Sequence, residues 1–331
     1  MTGRNPYLLV FILSCSAALV AQSSDACRNR TLLASAVDLD GNTIRSLGTP
    51  AFHLKIAKSA PELVHSDYKL EPHRIVILLD TSGSMAAGKN KWAVARTAAQ
   101  EMLSMTPPQV SLALVSYGEK TDKVLGFSGD RSLALDWLAA NSSRENKVIK
   151  GRTALLDAIM ATLSELQPYH VGDSIYVITD GGDNVSKIEA SKVKKALLTA
   201  GVRLFLFRLD SGWFTQEEQI GLDEIVALAV DSGGHVSGIA GRMPAGGDIF
   251  EPYYEMDDRT RESIKNMTRL ANNLIHGTYL LSFELSQNLS MQKWSGVSLE
   301  VVDDHGKRRK DVKLLAFPRR LSPCTPEKGP S

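Results

Sequence analysis

The sequence predicts an α/β protein with a doubly wound, mainly parallel sheet, flanked by a smaller β domain. Three observations support this prediction. Ile75–Leu79 is a continuous apolar run, which is typical of a strand covered on both faces, and Asp173–Asp180 is predicted as a second buried strand that also ends in a carboxylate. From Arg74 onward, such strands alternate with segments of helical spacing. Near the two ends of the chain, shorter segments alternate polar and apolar residues, and we expect them to pack together as one β domain.

Composition gives no case for a function based on overall charge. The 331 residues include 38 basic and 37 acidic side chains, for a formal net charge of +1. We therefore expect no nucleic-acid partner and no attraction to an anionic membrane surface. Any binding must come from a local site.

The first residues have the pattern of a secretory signal. Arg4 supplies positive charge, Tyr7–Leu13 and Ala17–Ala21 are apolar, and small residues follow. We expect residues 1–26 to be removed, and the protein to be secreted or held in the periplasm or cell envelope. No second apolar segment reaches spanning length, so no membrane span is expected after removal of the signal.

The N-terminal β segment is expected within residues 27–72. Strands are predicted at Thr31–Val37, Thr43–Leu47 and Phe52–Ile56. Asp38–Asn42 forms the turn between the first two. Residues 57–73, which contain two prolines, are interpreted as the connection to the main domain.

The α/β domain is expected at residues 73–277. After the first strand, helical spacing and stop signals place the next elements in order. The predicted helices are Lys91–Met105, Arg131–Ala140, Thr153–Leu166, Lys187–Ala200, Leu222–Val230 and Asp257–Ile275. The predicted strands between them are Val110–Tyr117, Lys123–Phe127, Asp173–Asp180, Val202–Leu209 and His235–Ile239.

The C-terminal β segment is expected at residues 278–320, before a tail at 321–331. Its predicted strands are Tyr279–Leu285, Val297–Val302 and Val312–Phe317, with a hairpin turn at Asp303–Gly306. Cys27 and Cys324 remain near the two ends once the signal is removed. They are either bridged by a disulfide in an oxidising compartment or two unpaired thiols, and both interpretations stay open.

A cluster of hard oxygen donors follows the first buried strand. Asp80, Ser82 and Ser84 occupy alternate positions around Gly83, on a tight turn where the strand ends. Carboxylate and hydroxyl oxygens suit Mg²⁺, Mn²⁺ or Ca²⁺ better than zinc or copper. The alternative is an ordinary capped turn in which Ser84 caps the next helix.

A second buried strand also ends in a carboxylate, Asp180, and Thr153 lies in a Gly-Arg-Thr loop between the two. In an open parallel sheet, ligands bind outside the carboxyl ends of the strands, where the winding reverses. The aspartates at the ends of both strands therefore point into one crevice.

Asp-x-Ser-x-Ser, the later loop threonine and Thr179-Asp180-Gly181 together resemble the metal-ion-dependent adhesion site (MIDAS) of von Willebrand factor type A (VWA) domains. The resemblance covers roughly residues 74–277 and implies a Rossmann-like VWA fold. It implies that Thr153 and Asp180 complete the ligand set of a bound Mg²⁺, with Mn²⁺ or Ca²⁺ as alternatives. It also implies an open coordination position for an Asp or Glu carboxylate of a protein partner.

The flanking segments resemble a bacterial group of secreted VWA-related proteins. Val37–Thr43, Phe52 and Tyr279–Phe283 carry this looser likeness. One departure from the family pattern is Arg152, which stands where many relatives have glycine. It adds charge beside the expected metal.

Two residues beside Asp180 have less certain roles. Asp183, and with it Gly181, is interpreted either as a support of the metal ligands, holding a water or Thr153, or as an ordinary loop residue.

We expect this protein to bind a partner rather than to catalyse a reaction. A Mg²⁺-dependent phosphoryl hydrolase is an alternative, with Asp80 as nucleophile. Such enzymes commonly use a second carboxylate two positions later, and that position holds Ser82. No Gly-x-Ser-x-Gly, His-Glu-x-x-His or P-loop motif is present. A further alternative is a structural VWA domain with a non-functional metal site.

Overall fold

The computed structural model describes residues 28–69, 74–87, 89–127, 129–143, 148–210, 216–242, 253–285 and 293–323. The expected signal, Cys27 and Cys324 lie outside these ranges, so the signal and the disulfide stay predictions.

Strands and helices of the described residues are numbered in chain order. The strands are β1 Asn29–Val37, β2 Phe52–Ile56, β3 Glu62–Lys69, β4 Ile75–Asp80, β5 Leu112–Tyr117, β6 Thr121–Leu125, β7 Ser174–Thr179, β8 Arg203–Asp210, β9 Val236–Ala240, β10 Thr278–Glu284, β11 Ser295–Val301, β12 Lys313–Ala316 and β13 Arg320–Leu321. The α-helices are α1 Lys91–Met105, α2 Arg131–Ala140, α3 Leu155–Glu165, α4 Ala190–Ala200, α5 Gln216–Asp231 and α6 Asp258–His276.

The central sheet has six strands in the order β6-β5-β4-β7-β8-β9. All neighbouring pairs are parallel except β5 and β6, which are antiparallel. Every residue of β4 and β7 is buried, as their continuous apolar character predicts. The doubly wound α/β fold is therefore confirmed.

Helices cover both faces of this sheet. Apolar side chains of α1, α2 and α6 pack on one face, and those of α3, α4 and α5 pack on the other. Because β4 and β7 are neighbours at the centre, their carboxyl ends open between the two helical layers. This is the edge at which ligands of such sheets bind.

Segments from both ends of the chain form two further antiparallel sheets. One has the strand order β12-β1-β10-β3 and the other β13-β11-β2. Their facing side chains share one apolar core that includes Phe52, Tyr279 and Phe283. The expected flanking β structure built from both chain ends is therefore confirmed.

Two details of the predicted β structure are wrong. Thr43–Leu47 is not a strand, since its only ladder contact is an isolated bridge between Val37 and Thr43. The segment interpreted as a connection contains β3, which pairs with β10 along seven residue positions. Because this segment has few apolar residues, its sequence does not indicate a strand. Its backbone pairs with β10.

The turn at Asp303–Gly306 forms as predicted, with the Gly306 amide 2.9 Å from the Asp303 carbonyl oxygen. The strands on either side, however, belong to different sheets: β11 pairs with β2 and β13, and β12 pairs with β1.

The C-terminal end of α6 is held by a buried arginine of the central sheet. The Arg203 guanidinium donates hydrogen bonds to the Leu274 carbonyl at 3.2 Å and the Ile275 carbonyl at 2.8 Å. It also donates to the Ser35 hydroxyl of β1 at 3.1 Å, and Ser35 in turn donates to the Leu274 carbonyl at 2.6 Å. Positive charge is favourable at a helix C-terminus. This contact joins the flanking β structure to the α/β sheet.

Across the described part of the chain, none of the helices combines the length and apolar character that crossing a bilayer requires.

Candidate metal centre

Asp80 is the last residue of β4 and is fully buried. One carboxylate oxygen, Oδ1, accepts a hydrogen bond from the Ser82 amide at 2.8 Å. The other, Oδ2, accepts from the Thr179 hydroxyl at 2.7 Å and the Tyr117 hydroxyl at 3.2 Å. These contacts fix the orientation of the carboxylate at the carboxyl edge of the sheet.

The Asp80 carboxyl is electrostatically perturbed. Burial, followed by the nearby negative charge of Asp180, raises its pKa to about 7. Burial also raises the pKa of Tyr117 well above its usual value, so the phenol stays a protonated donor. A cation placed beside these groups would lower the cost of ionising Asp80.

The two serines lie together on the turn after β4. Their hydroxyl oxygens are 3.0 Å apart, and Ser82 is buried while Ser84 is half-buried. The turn continues as a 3-10 helix, Gly83–Ala86. Asn90, not Ser84, is the N-cap residue of α1. The capped-turn interpretation of Ser84 therefore does not describe this helix.

The loop that carries Thr153 packs directly on this turn. The Gly83 amide donates to the Gly151 carbonyl at 2.9 Å, and the Lys150 amide donates to the Thr81 carbonyl at 3.0 Å. A Cβ at Gly83 would lie only 3.1 Å from the Gly151 carbonyl oxygen. The absence of a side chain at position 83 thus permits the close approach of the two loops.

Thr153 is buried and is oriented by the loop that follows β7. Its amide donates to the Asn184 side-chain oxygen at 3.0 Å, and the Asn184 amide donates to its carbonyl at 3.0 Å. A Cβ built on Gly182 would lie 3.9 Å from the Thr153 hydroxyl oxygen and 3.7 Å from Asp180 Oδ1. These two oxygens are therefore at most about 7.6 Å apart, at the same edge of the sheet.

Asp180 directly follows β7 and forms an ion pair that the sequence analysis did not foresee. The ammonium of Lys91, the first residue of α1, donates to Asp180 Oδ2 at 2.9 Å and to the Ser84 carbonyl at 3.2 Å. Both side chains are largely buried, with exposed fractions of 6% and 10%. This contact connects the loop after β7 to the turn that carries Ser82 and Ser84.

Asp183 serves the neighbouring helix rather than Thr153. Its carboxylate accepts from the Leu156 amide in the first turn of α3 at 2.8 Å and from the Ser186 amide at 3.1 Å. These contacts favour the ordinary structural role that the sequence left open. Gly181 has a φ of +91°, and a side chain there would collide with Leu222.

The donors fit a hard divalent cation. Asp80 and Asp180 offer carboxylates, and Ser82, Ser84 and Thr153 offer neutral hydroxyls, the oxygen donors that Mg²⁺ accepts. Within the described ranges, no group of three or more His, Cys, Asp or Glu residues is placed to hold a metal. A site at this edge therefore depends on its hydroxyls.

The sequence assigned no role at this site to three residues that support its aspartates. Thr179 and Tyr117 hold Asp80, and Lys91 holds Asp180. For the first two a signal existed: Thr179 precedes Asp180, and Tyr117 stands beside Asp80 in the parallel register. Nothing in the sequence indicates that Lys91 is buried in an ion pair with Asp180.

The fold and this arrangement of loops are similar to those of VWA domains. The family described as von Willebrand factor type A domain matches residues 75–182, so the expected resemblance is confirmed over that part of the chain. Domains of this family generally mediate protein–protein interactions and often bind a divalent metal. No curated protein matches the chain.

The chain is also similar to three solved structures at low sequence identity. An aerotolerance-related membrane protein of Bacteroides fragilis is 17% identical over 61% of this chain and 98% of its own, with a TM-score of 0.43. A von Willebrand factor type A protein of Catenulispora acidiphila is 14% identical over 89% and 73%, with a TM-score of 0.44. Proximal thread matrix protein 1 of the mussel byssus, solved with a zinc-occupied MIDAS motif, is 16% identical over 66% and 49%, with a TM-score of 0.44.

Proposed function

We propose that this protein is a secreted or envelope-located, divalent-metal-dependent protein-binding module of the adhesion type. The observation that supports it best is the convergence of three loops at one sheet edge. Direct hydrogen bonds link the turn that carries Ser82 and Ser84, the Thr153 loop and the Asp180 loop. The potential metal ligands on these loops are hydroxyl and carboxylate oxygens.

The residues divide the work of holding a cation. Ser82 and Ser84 would be neutral direct ligands, and Asp80, Thr153 and Asp180 would act directly or through water. When bound, Mg²⁺ (or Mn²⁺ or Ca²⁺) would supply positive charge and an open position for an Asp or Glu carboxylate of the partner. Thr179 and Tyr117 hold Asp80 in one orientation, so this carboxylate is oriented before a cation arrives.

The geometry favours binding over catalysis. The position of the second carboxylate of a phosphoryl hydrolase holds Ser82, whose hydroxyl lies 3.0 Å from the Ser84 hydroxyl. The Lys91 ammonium is paired with Asp180. A phosphatase assay with Mg²⁺ addresses the hydrolase alternative: turnover by the wild type that Asp80→Asn abolishes would overturn the binding proposal.

A metal titration followed by thermal unfolding tests the site directly. We expect Mg²⁺ or Mn²⁺ to raise the melting temperature, and Asp80→Ala with Ser82→Ala to abolish the effect, because a ligand that binds only the folded state stabilises it. The double variant Asp136→Ala with Ser111→Ala changes the same residue types at exposed positions and serves as the control. No shift at millimolar metal would favour a structural domain with a non-functional site.

The partner can be sought by capture from the envelope fraction of the producing cells. We expect proteins bound in Mg²⁺ to be released by chelator and not to bind the Asp80→Ala, Ser82→Ala variant. In related domains the last helix shifts with the metal loops, and by analogy α6 would do so here. A disulfide that locks α6 without changing ligand affinity would exclude that role.

A further inference from the structure

Lys91 places a fixed positive charge inside the proposed metal site. It is the first residue of α1 and is only 5% exposed. Lysine is rarely buried to this extent unless it is paired. Its pairing with Asp180 Oδ2 and the Ser84 carbonyl means that the ammonium contacts two of the residues expected to hold the cation or to flank it.

The lysine changes the charge balance of the site. The carboxylates of Asp80 and Asp180 together match the charge of a divalent cation. With the Lys91 ammonium included, the loaded site keeps one positive charge. Arg152, on the rim, is exposed, and its guanidinium donates to the Asn184 carbonyl at 2.8 Å, so water screens its charge far more than that of Lys91.

Lys91 also divides the two oxygens of Asp180 between different tasks. Oδ2 accepts from the ammonium, while Oδ1 lies on the side of Gly182 and the Thr153 hydroxyl. Only Oδ1 then faces the donors of the neighbouring loop. Oδ1 also accepts a hydrogen bond from the Gly182 amide at 3.4 Å, so the carboxylate is held in one orientation by contacts at both oxygens.

We propose that Lys91 is a specificity-determining residue that weakens cation binding and strengthens binding of the partner carboxylate to the loaded site. This inference rests on the proposed function. Repulsion between the ammonium and a cation held by the same carboxylate lowers metal affinity, and the charge left over attracts an anion. The protein would therefore release its metal readily when no acidic partner is bound.

Three substitutions separate the charge of Lys91 from its packing. Lys91→Met keeps the apolar stem and removes the charge, Lys91→Gln keeps a hydrogen-bond donor for Asp180, and Lys91→Arg keeps the charge. Mn²⁺ is the metal probe, because the relaxation of water protons reports on its bound water. Acetate is the carboxylate probe, because it displaces that water from the loaded site.

For Lys91→Met and Lys91→Gln we expect about tenfold tighter Mn²⁺ binding and about tenfold more acetate needed to displace the bound water. Lys91→Arg should resemble the wild type in both measurements. In chelator, Lys91→Met should unfold at a lower temperature than wild type, because Asp180 loses its partner. If Lys91→Met does not fold without metal, Lys91→Gln supplies both affinities.

The outcomes distinguish this inference from the proposed function. If the wild type binds Mn²⁺ and the neutral variants bind it equally or more weakly, the role of Lys91 is wrong and the metal site stands. If Lys91→Met and Lys91→Gln need no more acetate than the wild type to displace the bound water, Lys91 does not strengthen binding of the partner's carboxylate. If neither the wild type nor the neutral variants bind Mn²⁺, both proposals fail.

Discussion

The buried carboxyl of Asp80 makes the stability of the metal-free protein depend on pH. In the unfolded chain this group ionises near pH 4, whereas the folded protein holds the proton until about pH 7. The native state therefore binds more protons between these values, and its free energy of unfolding falls as the pH rises. A pKa of about 7 against about 3.9 corresponds to roughly 4 kcal/mol of stability lost between pH 4 and pH 7.

Asp80→Asn removes this ionisation and keeps the shape of the side chain. The Thr179 and Tyr117 hydroxyls, which donate to Asp80, can rotate to accept from the new amide. In chelator, the variant should match or trail the wild type near pH 4.5 and exceed its unfolding free energy by a few kcal/mol at pH 8.

Urea unfolding of both proteins between pH 4.5 and pH 8.5 measures the effect. The unfolding free energy of the wild type is subtracted from that of Asp80→Asn at each pH. This difference removes the contribution of groups that titrate alike in both proteins. Asp136→Asn, at an exposed position, is the matched control and should give a difference that does not change with pH. A flat difference for Asp80→Asn as well would refute the argument that burial and Asp180 control this carboxyl.

Further substitutions test the supports of the site. Tyr117→Phe removes a hydrogen bond to the buried carboxylate at the tip of β4 and should destabilise the metal-free protein by about 1–3 kcal/mol at pH 8, measured by urea unfolding, with a smaller loss near pH 4.5. Asp183→Ala should cost about 1 kcal/mol through the first turn of α3 and leave Mn²⁺ affinity unchanged, with Asp136→Ala as the control; a large loss of metal affinity would assign it to the site. Arg203→Met removes the arginine donor from the Ile275 carbonyl, while the Leu274 carbonyl keeps the Ser35 hydroxyl, and it should cost about 2–4 kcal/mol in urea unfolding. Arg259→Met, exposed on the same helix, should cost little; equal effects would show that the arginine clamp contributes nothing.

The sequence predicts the central elements well because their signals are local. Lys91–Met105 and Arg131–Ala140 have the predicted bounds, since helical apolar spacing marks both and Pro107-Pro108 ends the first. The strands that carry Asp80 and Asp180 are continuous apolar runs that stop at a carboxylate. An abrupt change from apolar to polar residues is a local feature, so the residue types alone mark where each strand ends.

What the sequence did not reveal depends on distant contacts. The strand Glu62–Lys69 exists because β10 offers it a backbone ladder, and its alternation is too polar to stand out. Thr43–Leu47 has strand composition but finds only an isolated bridge. The Lys91–Asp180 contact depends on how α1 crosses the end of β7, and no local pattern encodes that.

The contacts around α6 limit how a signal could travel from the metal site to the flanking β structure. At the N-terminal side, the Asn90 side chain donates to the Tyr254 carbonyl at 2.8 Å, and the Tyr254 amide donates to the Lys89 carbonyl at 2.9 Å. Asn90 is the neighbour of Lys91, so the start of α1 links the Lys91–Asp180 pair to the segment that precedes α6.

At the other end, α6 moves only if the Arg203 contacts with its last carbonyls break or shift. A ligand can shift such an equilibrium only by its difference in affinity for the two states. The segment that Asn90 contacts leads directly into α6. For α6 to move, the metal and the partner carboxylate must therefore bind the moved state more tightly than the unmoved one, by more free energy than breaking the Arg203 contacts costs. Since Ser35 of β1 shares that arginine, movement of α6 that breaks the clamp also changes how the flanking sheet is attached.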